Sequence, residues 1–282
     1  MEASEPEKDE VAMAIHSRIE APLQWDAPPF AKIIDLKEIH YNDVLRLLKV
    51  QKEDNYRVCF MTSEEPMCKA SFLLDDVQSV KSYLDLVRIW MKDSTSIVAT
   101  SSISGRVIGT AIARVNSALD RTNTYSRVQI FHGKTLEKLM HLKSTLVKEA
   151  DPYNALNSET LFRIYIVCVH PSYQRRGLGG ALLEACVQIT ASLKLPAIVG
   201  SFTSGCSQRL ATNTGFRVLS EIRYSRWIVD NRVVFDDPGI GNYSATFMGM
   251  IIPEAEVLEA RRRARKSLYK RNMFHTYNRP TR

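Results

Sequence analysis

The apolar pattern of this chain is densest between Leu161 and Val169, where the residues read LFRIYIVCV. Such a run, β-branched and aromatic with one charged break, predicts a strand buried on both faces at the centre of a sheet. His170-Pro171 ends it, because proline cannot donate to a strand ladder. From Ala181 to Leu193 the apolar residues Leu182, Leu183, Cys186, Val187 and Ile189 follow helical spacing. Between strand and helix lies Gln174-Arg175-Arg176-Gly177-Leu178-Gly179-Gly180, so the helix begins at the glycines.

The rest of the chain is less dense but still periodic. Residues 31–36 (AKIIDL) predict a first strand, and Asn42 opens a helix to Lys52 with Val44, Leu45, Leu47 and Leu48 inward. Residues 61–68 look like a loop, and 76–91 look helical. Strands at 96–101 and 106–115 join through Ile103-Ser104-Gly105, a hairpin signal. Residues 116–160 are too long for a connection and hold an amphipathic helix from Lys134 to Ala150. Past the glycines, a strand is expected at 197–203, a short helix at 207–213 stopped by Gly215, and strands at 216–228 and 244–252. Asp230-Asn231 marks a turn, and residues 254–270 read as a helix.

This order predicts an α/β fold, a mixed, mostly antiparallel sheet of about seven strands flanked by helices. Three segments follow: an acidic, Pro-rich arm at 1–29 expected to be disordered, one domain at 30–252 with the insertion at 116–160, and a basic helical or disordered tail at 253–282. The formal charge of +7 belongs to the tail, because residues 261–282 hold nine Lys and Arg and no acid; without those nine it is −2. No apolar run reaches membrane-spanning length, and the acidic start lacks a secretory layout, so a cytosolic location is expected. The five cysteines have no metal-ligand spacing; they are read as reduced thiols, and no metal is expected.

A glycine-rich strand-to-helix junction can hold an anion. The first N–H groups of a helix lack intrahelical partners and sit at the positive end of the helix dipole, and glycine lets a phosphate approach them. Arg175 and Arg176 add charge beside a diphosphate. The spacing matches neither GxGxxG nor Gly-Lys-Ser/Thr. After a Val-His-Pro strand end, it resembles the pyrophosphate loop of the GNAT acetyltransferase superfamily. That resemblance covers about residues 31–252 and implies a GNAT-like sheet. It also implies acetyl-CoA as acyl donor, with Gln174, Arg175, Arg176, Gly177, Leu178, Gly179 and Gly180 at its diphosphate and the strand at Val167, Cys168 and Val169 along its pantetheine arm.

Acetyl transfer to an amine requires the neutral amine, which at pH 7 is only about one part in 2,500 of an alkylammonium, a deficit near 4.6 kcal/mol. A carboxylate base can offset part of it. Glu65 precedes Pro66, among Phe60, Met61, Met67 and Phe72, and apolar surroundings raise a carboxylate's proton affinity. The Glu-Pro-Met segment is similar to the Glu-Pro-Leu of invertebrate-type arylalkylamine (dopamine-type) N-acetyltransferases, which implies Glu65 as the general base. Residues 203–210, followed by Gly215-Phe216, resemble a second segment of that family, which implies hydroxyl roles for Thr203, Ser204 and Ser207. Capping of the helix that follows is the structural role for the same hydroxyls. In many GNAT enzymes a tyrosine four residues before that glycine protonates the leaving thiolate; Ala211 stands there, so a tyrosine acid is not expected. His170 is read as structural, and Cys206 lacks a cationic partner that would make it a nucleophile.

The function expected is transfer of acetyl from acetyl-CoA to the primary amine of a small arylalkylamine or related biogenic amine, by direct attack in a ternary complex. A polyamine, agmatine or protein amine is the alternative acceptor. A degenerate acetyltransferase fold binding nucleic acid or an acidic partner through the tail is the alternative of another class.

Overall fold

A computed structural model describes residues 24–48, 65–93, 95–118 and 132–277, with backbone alone at 268 and 270–277. In chain order its strands are β1 (Gln24–Trp25), β2 (Ala31–Asp35), β3 (Ile97–Ser101), β4 (Val107–Ser117), β5 (Thr160–Val169), β6 (Ala197–Phe202), β7 (Arg217–Arg223), β8 (Ile228–Val229), β9 (Arg232–Val233) and β10 (Ser244–Ile251). Its α-helices are α1 (Tyr41–Leu48), α2 (Pro66–Ala70), α3 (Val77–Met91), α4 (Lys134–Ala150), α5 (Pro152–Ala155), α6 (Leu178–Ser192), α7 (Gly205–Thr214) and α8 (Ala255–Tyr277).

Eight strands form one sheet in the order β1-β2-β3-β4-β5-β6-β10-β7, while β8 and β9 make a separate hairpin. Every pairing in the large sheet is antiparallel except β5 with β6. The sheet separates two apolar cores. One takes α1 to α4 on one face, with Tyr83, Trp90, Leu139 and Phe247 among its members; the other takes α6 and the start of α8, with Leu182, Cys186, Ile189 and Phe216. On α6 the side chains of Leu182, Leu183, Val187 and Ile189 are fully buried, which contributes about 1.5–3 kcal/mol each.

The central strand β5 serves both cores because its side chains alternate between faces, and a bulge shifts that alternation once. Ile112 of β4 pairs with Ile166 while Ala113 pairs with Ile164, so Tyr165 is the inserted residue. Consequently Leu161, Tyr165, Ile166 and Cys168 face the first core, and Phe162, Ile164, Val167 and Val169 face the second.

Several expectations change here. The sheet has eight strands, because Gln24–Trp25 of the supposedly disordered arm pairs with β2. Residues 66–70 are helical where a loop was expected through Cys68, and helix α7 starts at Gly205, two residues before the expected position. The single strand expected at 216–228 is broken at Tyr224, whose ring is buried and which opens a 3-10 turn to Arg226. The tail is a helix docked on the domain, and its arginines take part in the fold: Arg262 and Lys266 bond Asp26 at 2.7 and 3.3 Å. Residues 1–23, Lys52, Cys59, Phe60, Met61, Ser63, Glu64, 119–131, Arg279 and Arg282 lie outside the described residues.

Candidate active site

The parallel pair β5 and β6 holds register only from Leu161↔Ala197 to Ile164↔Gly200. Beyond those residues β5 continues to Val169 on β4, and β6 continues to Phe202 on β10, so the two strands part into a wedge. Val167, Cys168 and Val169 lie on one arm of that wedge, and Thr203, Ser204 and Ser207 follow the other.

The wedge leads to the glycine turn. Pro171–Tyr173 form a 3-10 turn, Gln174 folds back so that its Nε2 donates to the Val169 carbonyl at 3.0 Å, and Arg175 takes a left-handed φ of 57°. Gly177 caps α6 with φ 85°, a conformation that favours glycine. Neither crowding nor backbone angle demands glycine at 179 or 180: a Cβ at 179 would meet Leu210 at 3.4 Å and Val169 at 3.9 Å, and one at 180 would meet Leu210 and Arg265 at 3.5 Å. The bare backbone instead leaves the first helical turn, with its three N–H groups, open to a closely lying oxyanion. Arg176 lies flat on the Phe30 ring at 4.0 Å, which fixes the guanidinium beside the turn. These residues fit the diphosphate of acetyl-CoA.

On the first-core side, Glu65 caps α2, with its Oε2 accepting the Cys68 N–H at 2.6 Å. Pro66 supplies the fixed φ of a first helical position, so Glu-Pro is a helix start as well as a candidate chemical group. The apolar shell expected around Glu65 is incomplete. Met67 is buried, but Phe72 is 70% exposed, and polar groups stand close by. Burial pushes the Cys68 thiol well up, with Glu65 as the second cause. The Tyr224 phenol is also driven well up by burial, then by Glu65 and Cys68. Burial holds the Lys143 ammonium below its ordinary value, offset in part by Glu65 and Cys68 and reinforced by Arg163. The guanidinium of Arg163 lies over Tyr165 at 5.0 Å and Phe247 at 5.5 Å.

The hydroxyls occupy a capping box. Ser204 Oγ accepts the Ser207 N–H at 3.1 Å, and Ser207 Oγ accepts the Ser204 N–H at 3.1 Å while donating to the Ser204 carbonyl at 2.8 Å. Tyr224 Oη donates to the Thr203 carbonyl at 2.6 Å, which ties the neighbourhood of Glu65 to the end of β6. Ala211 is fully buried, under the second core. A cavity of about 1190 Å³ opens between α7, β7 and residues 233–243; Tyr224 borders it, and Glu65, Thr203, Ser204 and Ser207 do not.

From the sequence, Lys143 and Arg163 were not singled out, and Tyr224 is read only as an aromatic at core spacing that can also line an acceptor pocket. The first two carried a signal. Lys143 interrupts the apolar stripe of α4, and Arg163 is the one charge in the central strand.

A parallel wedge beside a glycine turn at a helix start suits a ligand with an extended arm and a diphosphate. The family model for the acetyltransferase (GNAT) family matches residues 66–204, so the chain carries a GNAT acetyltransferase domain. No curated protein sequence matches the chain. Among solved structures, a putative arylalkylamine N-acetyltransferase 7 of the mosquito Aedes aegypti superposes with a TM-score of 0.70 at 21% identity, over 83% of this chain and 96% of that one. Arylalkylamine N-acetyltransferase 2 of the same mosquito gives 0.64 at 19% identity, over 79% and 99%. A polyamine N-acetyltransferase of Drosophila melanogaster, described as forming N-acetylagmatine, gives 0.63 at 16% identity, over 78% and 99%. At these identities the likeness is one of fold.

Proposed function

We propose that this acetyltransferase transfers acetyl from acetyl-CoA to the primary amine of a small arylalkylamine or related biogenic amine, by direct attack in a ternary complex. The observation that carries the proposal is the wedge beyond Ile164 and Gly200, which opens onto the Gly177 cradle at one end and reaches the Thr203–Tyr224–Glu65 neighbourhood at the other. Acetyl-CoA, when bound, supplies an activated thioester; all else falls to the protein. The first turn of α6 and Arg176 hold the diphosphate, and Val167 to Val169 guide the pantetheine arm strand-fashion. Glu65 takes the proton of the incoming ammonium, worth about 10²–10⁴-fold in rate. Ser207, or Thr203 with Ser204, gives a proton to the departing thiolate.

The acceptor class is supported by charge. Lys143 is buried beside Glu65, and the buried Arg163 lies near enough to act on Lys143, so a polycation would meet two cations there. An acceptor with one amine and an apolar remainder meets less repulsion there, and Tyr224 and Phe235 offer it aromatic surface. The tail's role as a nucleic-acid arm is weakened because Arg262, Arg263, Arg265 and Lys266 pair with acids of this chain. No helix among the described residues is long and apolar enough to cross a membrane, and Cys68, Cys168 and Cys186 are buried thiols, the form that a reducing compartment maintains.

Calorimetric titration with acetyl-CoA, followed by turnover of tyramine, dopamine, serotonin, agmatine and spermidine, tests this reading. Binding that weakens about tenfold or more in Arg176→Glu, with turnover of the aromatic amines above the polyamines, is the expected result. Absence of acetyl-CoA binding overturns it.

A further inference from the structure

Helix α8 lies outside the matched family region, which ends at residue 204. It leaves the sheet where Ile252 N bonds the Pro196 carbonyl at 2.8 Å, at the end of the sheet opposite the glycine turn, and packs Leu258 and Tyr269 against the second core. Each contact along it falls at helical spacing. Arg261 Nη1 donates to the Thr214 carbonyl at 3.1 Å at the end of α7, Arg262 bonds Asp26, and Arg265 bonds Glu184 at 3.4 Å. From Ala255 to Tyr269 the helix rises about 21 Å, enough to run the length of α6 back to its start.

That path ends on the cradle. Arg265 Nη1 stands 3.5 Å from where a Gly180 side chain would begin, and Tyr269 Cε1 stands 3.7 Å from the equivalent point at Gly177. Glu184 explains why Arg265 is so placed. Its carboxylate is 6% exposed, within an otherwise apolar stretch of α6, and a buried carboxylate needs a partner. The Arg265 guanidinium that meets this need keeps further N–H donors directed at the first turn of α6. Arg265 in turn touches Tyr269: burial pushes the Tyr269 phenol up, and Arg265 opposes the shift. Glu184, Arg265 and Tyr269 thus form a connected row from the interior of α6 to the lip of the cradle.

We infer that Arg265 and Tyr269 form the outer wall of the donor site and contact the phosphorylated adenosine end of acetyl-CoA, the ring of Tyr269 by stacking and the guanidinium of Arg265 by charge. This rests on the transferase reading and adds to it a binding segment that the family region does not contain. An aromatic face and a fixed cation beside a diphosphate cradle suit a nucleotide bearing several phosphates. They have no counterpart to offer S-acetylpantetheine, which lacks the nucleotide.

The test compares the full-length chain with Tyr269→Ala and Tyr269→Phe, and with the paired change Arg265→Gln plus Glu184→Gln, which removes both charges together and so avoids a stranded buried carboxylate. Acetyl-CoA affinity by calorimetry is measured beside turnover of S-acetylpantetheine. The expected result is about tenfold weaker acetyl-CoA binding in Tyr269→Ala, a smaller loss in Tyr269→Phe, a loss of similar size in the paired variant, and unchanged S-acetylpantetheine turnover. Unaltered acetyl-CoA affinity in Tyr269→Ala and in the paired variant overturns the inference and leaves the transferase reading standing. An equal loss with both donors also overturns it, since that marks a buttress. No acetyl-CoA binding by the unsubstituted chain overturns both readings.

Discussion

Tyr224 donates its phenolic hydrogen to the carbonyl of Thr203 across 2.6 Å, with its ring buried against Phe235 at a centroid distance of 5.7 Å. That bond pins the residue after β6 to the turn that follows β7, and so ties the Thr203–Ser204–Ser207 corner to the side chain on which Glu65 acts. Tyr224→Phe keeps the ring and removes the bond. The expected cost is about 1 kcal/mol of unfolding free energy, because a part-buried carbonyl loses its donor. Turnover falls while acetyl-CoA affinity stays, since the cradle lies on the other arm of the wedge. Chemical denaturation and steady-state kinetics on the same preparation check both parts.

Glu65→Gln tests the proposed base. The amide oxygen of glutamine still accepts the Cys68 N–H, so the cap of α2 survives and the fold loses at most a few tenths of a kcal/mol. Proton acceptance does not survive. The expected result is a drop in kcat of about 10²–10⁴ with the dissociation constant for acetyl-CoA unmoved. A variant retaining more than half of the wild-type kcat would remove Glu65 from the role of base.

Long, periodic elements could be read without coordinates. The helix from Lys134 to Ala150 and the strand ending at Val169 fall where the sequence puts them, because their apolar spacing is sustained and their ends are marked by Gly133, Asp151 and Pro171. The strand-to-helix junction was legible as well, because Pro171 and the glycines from Gly177 mark it. What escaped was tertiary. Tyr224 lies in a run that alternates like a strand, and only its hydrogen bond to Thr203, 21 residues away, shows why the strand stops there. The tail looked like solvated charge because Asp26 and Glu184, its partners, lie 236 and 81 residues off in the sequence.

Asp76 offers a pH test that is independent of the active site. Its carboxylate accepts Ser79 N at 3.0 Å and Ser79 Oγ at 2.6 Å, capping α3, and also accepts Thr135 N at 3.3 Å from the first turn of α4. Ser79 Oγ in turn accepts Leu136 N at 2.9 Å, so one pair of side chains serves two helix starts. Gly133 permits this contact, since any Cβ there would lie 2.1 Å from Ser79 Oγ. These hydrogen bonds, led by that of the Ser79 hydroxyl, lower the Asp76 pKa from 3.8 to about 2. A depressed carboxylate stabilises the fold above its unfolded value and loses that contribution as pH falls through its folded value. Asp76→Ala is therefore expected to cost about 1–2 kcal/mol at pH 6. The gap to wild type narrows as pH falls from about 4 to about 2, and urea midpoints across that range measure it.

Lys143 makes the opposite case, a group retained at a cost to stability. Its ammonium is buried in the first core, 5.7 Å over the Tyr83 ring, and burial lowers its pKa. Because the folded chain then holds this proton less firmly than the unfolded one, stability attributable to Lys143 rises with pH between the lowered value and 10.5, and the penalty is complete below that window. Lys143→Met keeps length and packing while removing the charge. The variant is expected to match or exceed wild-type stability at pH 7 and to show a flatter rise between pH 7 and 10. Its turnover is expected to fall, because the cation facing Glu65 is gone. A variant that is both less stable at pH 7 and fully active would show Lys143 to be a structural residue with no part in the site.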